Sequence, residues 1–316
     1  MSKPVTSVAF VDFIFENRER IKLEGCEFSI HPPLRTADEI VAAAAGVDVL
    51  CMRDQFGRVT PELLARLPNL KLIVTRSAGY DHIDLEAAEQ HGVAVCNVPD
   101  YGAHMIAEHA FGLLLAVARN IVKGNNRYKV ERIFSDSGLQ GIELYGKTLG
   151  VVGTGRIGLH SARIARGFGM HVVAHDMFEN RAAAEELGFQ YLPLEDLLAE
   201  SDAVTIHVSL NDATRHLIDA GRLAQMKAGA ILVNTSRGAV VDTPALIAAL
   251  RSGHIGGAGL DVLEDERKQY HDFGDLNVVV TPHLGWYTGA AVDRILSIAL
   301  AGIEGFLKGE RINRVD

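Results

Sequence analysis

Three residues whose types can do acid–base chemistry stand at or just past the ends of apolar runs in the C-terminal half of this sequence. Arg237 lies in Asn234-Thr235-Ser236-Arg237-Gly238. Glu266 follows Gly259-Leu260-Asp261-Val262, and His283 closes Val278-Val279-Val280-Thr281-Pro282-His283. A guanidinium grips a carboxylate as a two-pronged fork. An imidazole exchanges a proton near neutral pH. A carboxylate beside that ring holds it and favours its protonated form.

Upstream, Gly153-Thr154-Gly155-Arg156-Ile157-Gly158 spells G-x-G-x-x-G. Its context gives it weight: it follows the strand-like run 149–152, opens a helical stretch at 157–168, and leads to a second run, 171–175, that ends in Asp176. Gly153 permits a tight turn, Gly155 lets a pyrophosphate approach the backbone, and Gly158 lets helix pack on strand. The helix start offers unpaired N–H groups and a positive dipole end to phosphate. Asp176 can accept hydrogen bonds from an adenosine ribose and would repel a 2′-phosphate, so NAD is expected rather than NADP. Residues just past strand ends of a parallel sheet line one crevice, where Arg237, Asp261, Glu266 and His283 would converge on a bound nicotinamide. That set suits reduction of a 2-oxo acid and the reverse oxidation.

A second glycine pattern competes. Gly141-Ile142-Glu143-Leu144-Tyr145-Gly146-Lys147-Thr148 formally matches the phosphate-loop G-x-x-x-x-G-K-[ST]. Such a loop follows a strand and opens a helix. Here Lys147-Thr148 opens a strand, and the intervening residues are bulky, so the pattern is set aside.

The elements that must position these residues can be read from apolar periodicity. Short β-branched runs at 8–14, 47–52, 70–75 and 93–98 alternate with helical patterns. A second series follows at 149–153, 171–175, 203–208, 230–234, 259–262 and 278–281. Unbroken apolar runs fit parallel strands buried on both faces, and their alternation with helices implies βαβ units. The expected fold is therefore α/β, with two doubly wound parallel-sheet domains of Rossmann or flavodoxin-like type. Thr36-Ala37-Asp38-Glu39 has capping-box spacing. Thr60-Pro61 and Thr243-Pro244 each place a cap residue before Pro, and Gly229 and Gly253 are expected helix stops. Residues 101–126 read as one long helix, and 288–308 as a final one.

Composition narrows the classes. The chain has 316 residues, 48% of them hydrophobic and 22% charged, which is close to the globular average. The formal net charge of −9 lacks the cationic footprint of nucleic-acid binding. Cys26, Cys51 and Cys96 are scattered without C-x-x-C spacing, which argues for a reducing compartment. The N-terminal run is too short for a signal peptide. The most apolar long stretch, 105–122, carries Glu108, His109 and Arg119 and reads as a buried helix, not a membrane span. A cytoplasmic protein with no nucleic-acid or membrane partner is expected.

With these residues in view, the sequence resembles the D-isomer-specific 2-hydroxyacid dehydrogenases along essentially its whole length. The resemblance rests on the stretch from Arg76 to Asp84, Asn97-Val98-Pro99-Asp100-Tyr101, Ala107-Glu108-His109-Ala110, the glycine loop, and the three C-terminal motifs. It implies a cofactor domain (99–287) inserted into a substrate domain (1–98 plus 288–316), and a homodimer. It implies catalytic roles for Arg237, Glu266 and His283. The family pattern has the same spacings, 29 residues from Arg237 to Glu266 and five from Asp261 to Glu266. It also implies cofactor contacts from Gly153, Gly155, Arg156, Ile157, Gly158, Asp176, His207, Val208, Thr214, Thr235, Ser236 and Asp261. Backbone amides of Ala78 and Gly79, with Tyr101 and Arg237, would hold a small 2-oxo or 2-hydroxy acid.

The sequence departs from the common pattern in two places. No Pro follows Glu266, and an aromatic pair, Trp286-Tyr287, follows His283, as in the D-lactate dehydrogenase branch. Trp286 either walls a pocket for a small side chain or packs at the hinge. Arg76 reads as a hinge ion pair in preference to a cleft residue. The other twelve histidines have no catalytic case on spacing. His104 and His109 share no helix face, and His171 and His175 flank the ribose site, so no metal site is expected. The alternative reading is a non-catalytic NAD-sensing module of the same fold, and the intact Arg, Glu and His set favours the enzyme.

Overall fold

The structure, a computed structural model, describes residues 6–11, 19–34, 36–53, 58–264 and 270–316. The chain divides into two compact units, one formed by residues 1–101 and 287–316 and the other by residues 102–286.

In the first unit a parallel five-stranded sheet comprises β1 (Thr6–Val11), β2 (Cys26–His31), β3 (Val49–Met52), β4 (Leu72–Thr75) and β5 (Ala94–Cys96), in the order β2-β1-β3-β4-β5. Strands β3, β4 and β5 are buried throughout, as unbroken apolar runs require. The apolar runs did not include β2, whose residues Cys-Glu-Phe-Ser-Ile-His are half exposed and half partly buried at the sheet edge. Helices α1 (Ala37–Ala43), α2 (Pro61–Ala65) and α3 (Leu85–Gln90) connect the strands. Thr36 and Glu39 form the expected capping box on α1, and Thr60 caps α2 ahead of Pro61.

The second unit opens with α4 (Ala103–Ala118) and α5 (Ile121–Lys129). The single long helix expected over 101–126 is thus two, bent by 64°. The break is Asn120, whose φ of 51° lies in the left-handed region that Asn tolerates better than most residues. Its side-chain Nδ2 donates to the carbonyls of Leu139 and Gln140. Among the described residues no single helix is long and apolar enough to cross a membrane.

The parallel seven-stranded sheet that follows comprises β6 (Thr148–Val152), β7 (His171–His175), β8 (Gln190–Tyr191), β9 (Ala203–Ile206), β10 (Ala230–Asn234), β11 (Ile255–Leu260) and β12 (Val278–Val280). The order is β12-β11-β10-β9-β6-β7-β8, so the direction of winding reverses between β6 and β9. Alternate residues feed two cores. Leu149, Val151, Val172, Ala174, Ile231 and Val233 pack with α4 and α6 (Arg156–Gly167) on one face. Val152, Val173 and Leu232 pack with α8 (Leu194–Glu200) and α10 (Thr243–Arg251) on the other. The short edge strand β8 was also not among the apolar runs. α7 (Arg181–Leu187) and α9 (Ala220–Gln225) complete the crossovers. The cap of α10 is Asp242, which accepts from the Ala245 amide, so Thr243 and Pro244 are the first helical residues. Gly253 follows α10 with φ +76°, whereas Gly229 lies beyond the end of α9 in the turn into β10. Lys147-Thr148 leads into β6 and not into a helix, which removes the phosphate-loop reading.

The chain then returns to the first unit through α11 (Gly289–Leu307), capped by Thr288. α11 packs on β4.

Candidate active site

The glycine loop joins β6 to α6. Gly153 has φ +93°, and a Cβ there would lie 2.8 Å from the His207 carbonyl carbon and 2.9 Å from the Val208 amide nitrogen. A Cβ on Gly158 would lie 1.9 Å from the Gly153 carbonyl oxygen, so only glycine lets α6 start this close to β6. Around Gly155, its own chain neighbours and helix backbone aside, no atom of the described residues lies within 4 Å of the position a Cβ would take. Arg156 and Ile157 form the first turn of α6.

Asp176 follows β7 and is held from three sides. Its Oδ2 accepts from the Thr154 amide (2.6 Å) and hydroxyl (3.1 Å), and its Oδ1 accepts from the Phe178 amide (2.9 Å). The Thr154 hydroxyl also meets the Tyr191 hydroxyl at 2.8 Å, and the Asn180 amide donates to that phenol at 2.9 Å. With the Thr154 hydrogen spent on Asp176, the Tyr191 hydroxyl is the donor to Thr154. The Asp176 carboxylate thus ends a directed chain of donors running from Asn180.

Past β9, His207 Nε2 bonds the hydroxyls of Ser161 (2.9 Å) and Thr205 (3.0 Å). Burial pushes this imidazole down to a pKa of about 3, so it is neutral. Its Nδ1 is buried with no hydrogen-bond partner among the described residues, and the same is true of Thr235 Oγ1 past β10. Buried polar atoms are rarely left unpaired. Two of them lie past the carboxyl ends of adjacent strands, one beside the glycine loop, where this fold takes its ligand. The donor set, an open glycine loop with the Asp176 carboxylate beside it and two unfilled polar atoms, fits NAD. Thr214 pins the loop after β9, donating to the Ser209 carbonyl at 2.6 Å.

At the end of β10, Asn234 organises the turn carrying Arg237. Its Oδ1 accepts from the Ser236 amide (3.0 Å) and hydroxyl (2.9 Å), and its Nδ2 donates to the Arg237 carbonyl (2.9 Å). The neighbouring strand end is tied in by the Asp261 amide, which donates to the Asn234 carbonyl at 2.9 Å.

His283 sits at φ +55°, in the left-handed region. Its amide donates to the carbonyls of both Asp261 and Thr281 at 2.9 Å. The Asp261 side chain, 1% exposed, is wrapped by the same turn. Oδ1 accepts from the Thr281 hydroxyl (2.5 Å) and the Leu284 amide (2.7 Å), and Oδ2 from the Gly285 amide (2.8 Å). Burial alone would raise this carboxyl. Hydrogen bonds from His109, Thr281, Gly285 and Leu284 outweigh burial and hold it below the usual carboxylate range. Glu266 lies outside the described residues. Its neighbour Glu264 accepts at Oε1 from His216 Nε2 (2.8 Å) and at its carbonyl from His271 Nε2 (2.7 Å).

A family model for the D-isomer specific 2-hydroxyacid dehydrogenase NAD-binding domain matches residues 111–285. A glyoxylate reductase from Pyrococcus furiosus is 43% identical over 260 residues, spanning 80% of this chain and 77% of that protein. The chain belongs to the D-isomer specific 2-hydroxyacid dehydrogenases. Among solved structures, a D-lactate dehydrogenase from Aquifex aeolicus complexed with NAD and lactic acid superimposes with a TM-score of 0.85 at 33% identity, covering 96% of each chain. The apo D-lactate dehydrogenase from Escherichia coli gives the same TM-score and identity over 98% of this chain and 100% of its own. This dehydrogenase is therefore an NAD-dependent oxidoreductase that interconverts 2-oxo acids and D-2-hydroxy acids.

In the first unit of the dehydrogenase, residues 76–82 form a knitted loop after β4. The Ser77 hydroxyl meets Thr75 Oγ1 (2.8 Å) and donates to the Gly79 carbonyl (2.7 Å), while Asn97 Nδ2 donates to the Ala78 carbonyl (2.8 Å). Among the described residues the Ala78 and Gly79 amides donate to no protein acceptor. Arg76 is buried and donates from Nη2 to the Val11 carbonyl at 2.6 Å. The Tyr101 carbonyl accepts from Arg294 Nε.

Sequence spacing missed His109. The residue sits in α4, its Nε2 3.0 Å from Thr281 Oγ1 and 3.2 Å from Asp261 Oδ1. A polar ring among the apolar residues Met105, Ala107, Ala110 and Leu113 is the signal that could have found it.

Proposed function

We propose that Arg237, Glu266 and His283 carry out the reaction, with Arg237 gripping the substrate carboxylate and His283 moving the proton of the 2-hydroxyl group. The observation that carries this reading is the built turn around His283. A non-glycine residue held at positive φ, with its amide doubly bonded, is a strained feature of the kind that clusters at active sites. In reduction the His283 ring gives its proton to the carbonyl oxygen, and in oxidation it takes the proton back. Bound NADH supplies the hydride and bound NAD+ accepts it. Gly153, Gly155, Arg156, Ile157 and Gly158 would hold the pyrophosphate, and Asp176 the adenosine ribose. His207, Val208, Thr214, Thr235, Ser236 and Asp261 would serve the remainder of the cofactor. The unengaged amides of Ala78 and Gly79, with Tyr101, would serve the substrate. The unit 102–286 is thus read as the cofactor domain and the other as the substrate domain.

The substrate is proposed to be a short 2-oxo acid such as glyoxylate or pyruvate, on the likeness to a glyoxylate reductase and to D-lactate dehydrogenases. A homodimer is supported by apolar side chains standing in solvent along residues 128–145: Tyr128 is 61% exposed, Val130 75%, Phe134 94% and Tyr145 77%. Free Cys26, Cys51 and Cys96 suit a reducing cytoplasm. The test is NADH consumption with glyoxylate, pyruvate, hydroxypyruvate and a branched 2-oxo acid. Turnover with at least one is expected. A folded protein that binds NADH and reduces none would establish the NAD-sensing module instead.

A further inference from the structure

We propose that His109 is a positioning residue for the proton-transfer step: it locks the turn that holds His283 in its left-handed conformation. This rests on the reading of His283 as the proton-transfer group.

Small residues in β11 set the geometry. A Cβ on Gly259 would lie 2.8 Å from Leu113 Cβ, and one on Gly257 would lie 2.5 Å from Val117 Cγ1. Two glycines on one face of the strand therefore let α4 lie almost on the backbone of β11. One helical turn before Leu113 the helix presents His109, level with the strand's carboxyl end.

The direction of each hydrogen bond follows from proton counting. The Thr281 hydroxyl has one hydrogen, and the 2.5 Å contact with Asp261 Oδ1 uses it. Thr281 Oγ1 is then an acceptor toward His109, so His109 Nε2 carries a hydrogen and donates. That N–H is shared between Thr281 Oγ1 and Asp261 Oδ1. The carboxylate in turn fixes the amides of Leu284 and Gly285, the two residues after His283, and the Asp261 carbonyl fixes the His283 amide. A non-glycine residue at positive φ persists only while its surroundings over-determine it. Among the described residues, the hydrogen bonds at Asp261 and Thr281 bring in His109 from outside the strand ends and their turn. Without its N–H, the Thr281 hydroxyl and the Asp261 carboxylate gain freedom to rotate. Residue 283 can then relax toward negative φ and carry its ring off line.

The experiment compares His109→Leu, which removes the donor, with His109→Gln, whose amide N–H stands the same number of bonds from the main chain as Nε2. Thr281→Val and the double variant His109→Leu/Thr281→Val complete a cycle, and His283→Ala is the reference. In His109→Leu, kcat for the 2-oxo acid should fall about 10- to 100-fold, as expected of a misplaced catalytic group. The oxo acid KM and the NADH Kd, read by fluorescence, should change less than threefold. The primary isotope effect with 4-deuterated NADH should rise toward the intrinsic value. His109→Gln should recover most of the rate. Thr281→Val should lose a similar factor, and the double variant no more than the larger single loss, because both break one network. Unchanged kcat in folded His109→Leu, a loss confined to NADH binding, or multiplicative losses in the double variant would each overturn the proposal. If His283→Ala retains wild-type turnover, the reading of His283 fails instead. If His109→Leu does not fold, the comparison of His109→Gln with Thr281→Val decides: equal rates in both overturn the proposal.

Discussion

Replacing Asp176 by Ala should collapse the preference for NADH over NADPH. The Asp176 carboxylate accepts three protein hydrogen bonds, two from Thr154 and one from Phe178. With roughly four acceptor positions on a carboxylate, one remains for a ribose hydroxyl. Losing a hydrogen bond to a charged group costs about 1.5–3 kcal/mol, or roughly 10- to 150-fold in NADH affinity. Ala also frees Thr154 and loosens the glycine loop, but that loss falls on both cofactors and cancels in their ratio. The 2′-phosphate of NADPH would meet the wild-type carboxylate at close range, where like charges about 4 Å apart repel by ~4 kcal/mol before salt screening. The ratio of Kd values, NADPH over NADH, should therefore exceed about 10² in wild type and fall toward unity in Asp176→Ala. Calorimetric titration of both cofactors at one fixed salt concentration reads the ratio directly. Tyr191→Phe removes the donor behind Thr154 and should narrow the ratio by a smaller factor, about 2- to 10-fold. Equal affinities in wild type, or a ratio that survives Asp176→Ala, would refute the role of this carboxylate.

Arg237→Lys should lower kcat/KM for the oxo acid by about 2–4 kcal/mol, since a point charge cannot reproduce the fork, while calorimetric NADH affinity stays put. Gly158→Ala sets a Cβ 1.9 Å from the Gly153 carbonyl oxygen, a backbone atom that cannot step aside; a loss of about 1–3 kcal/mol in urea unfolding should accompany weaker NADH binding. His207 has a folded pKa of about 3 against roughly 6.5 unfolded, so the unfolded chain takes up its proton first as pH falls. Its contribution is present in full above about pH 6.5 and is lost as pH drops toward 3, so urea unfolding of His207→Gln should lose less stability than wild type between pH 7 and 5. Phe134→Glu should shift the sedimentation coefficient toward the monomer if the exposed segment around Phe134 is the subunit contact.

Most of the strands that the sequence displayed clearly were those buried on both faces; β12, a partly exposed edge strand, showed because its residues are all Val. β7 and β10 coincide with their apolar runs to the residue. β2 and β8 escaped because edge strands carry mixed, half-exposed side chains and no unbroken run. The bend at Asn120 was hidden because a left-handed Asn leaves the apolar stripe intact on either side. The placement of Arg237 and His283 just past strand ends was legible because the sheet brings such residues to one edge by topology alone. His109 was not, because its partners Asp261 and Thr281 are more than 150 residues away and meet it only once α4 settles on the glycines of β11.

The free edge of β5 is covered by residues that emerge much later in synthesis. The Asn97 amide donates to the Asn313 carbonyl, the Val315 amide donates to the Val95 carbonyl, and Asp316 Oδ1 accepts from the Val95 amide. Cys96 and its carbonyl partner Ile312 are 216 residues apart. At roughly 5–20 residues per second, a ribosome needs about 10–40 s to deliver that partner. During this interval the intervening unit, being continuous, can fold completely, while β5 waits with unpaired backbone groups and β4 without α11. An unpaired strand edge is a template for another chain. The nascent protein is therefore most vulnerable to aggregation in a window set by translation speed, and slower elongation through the inserted unit should lengthen it.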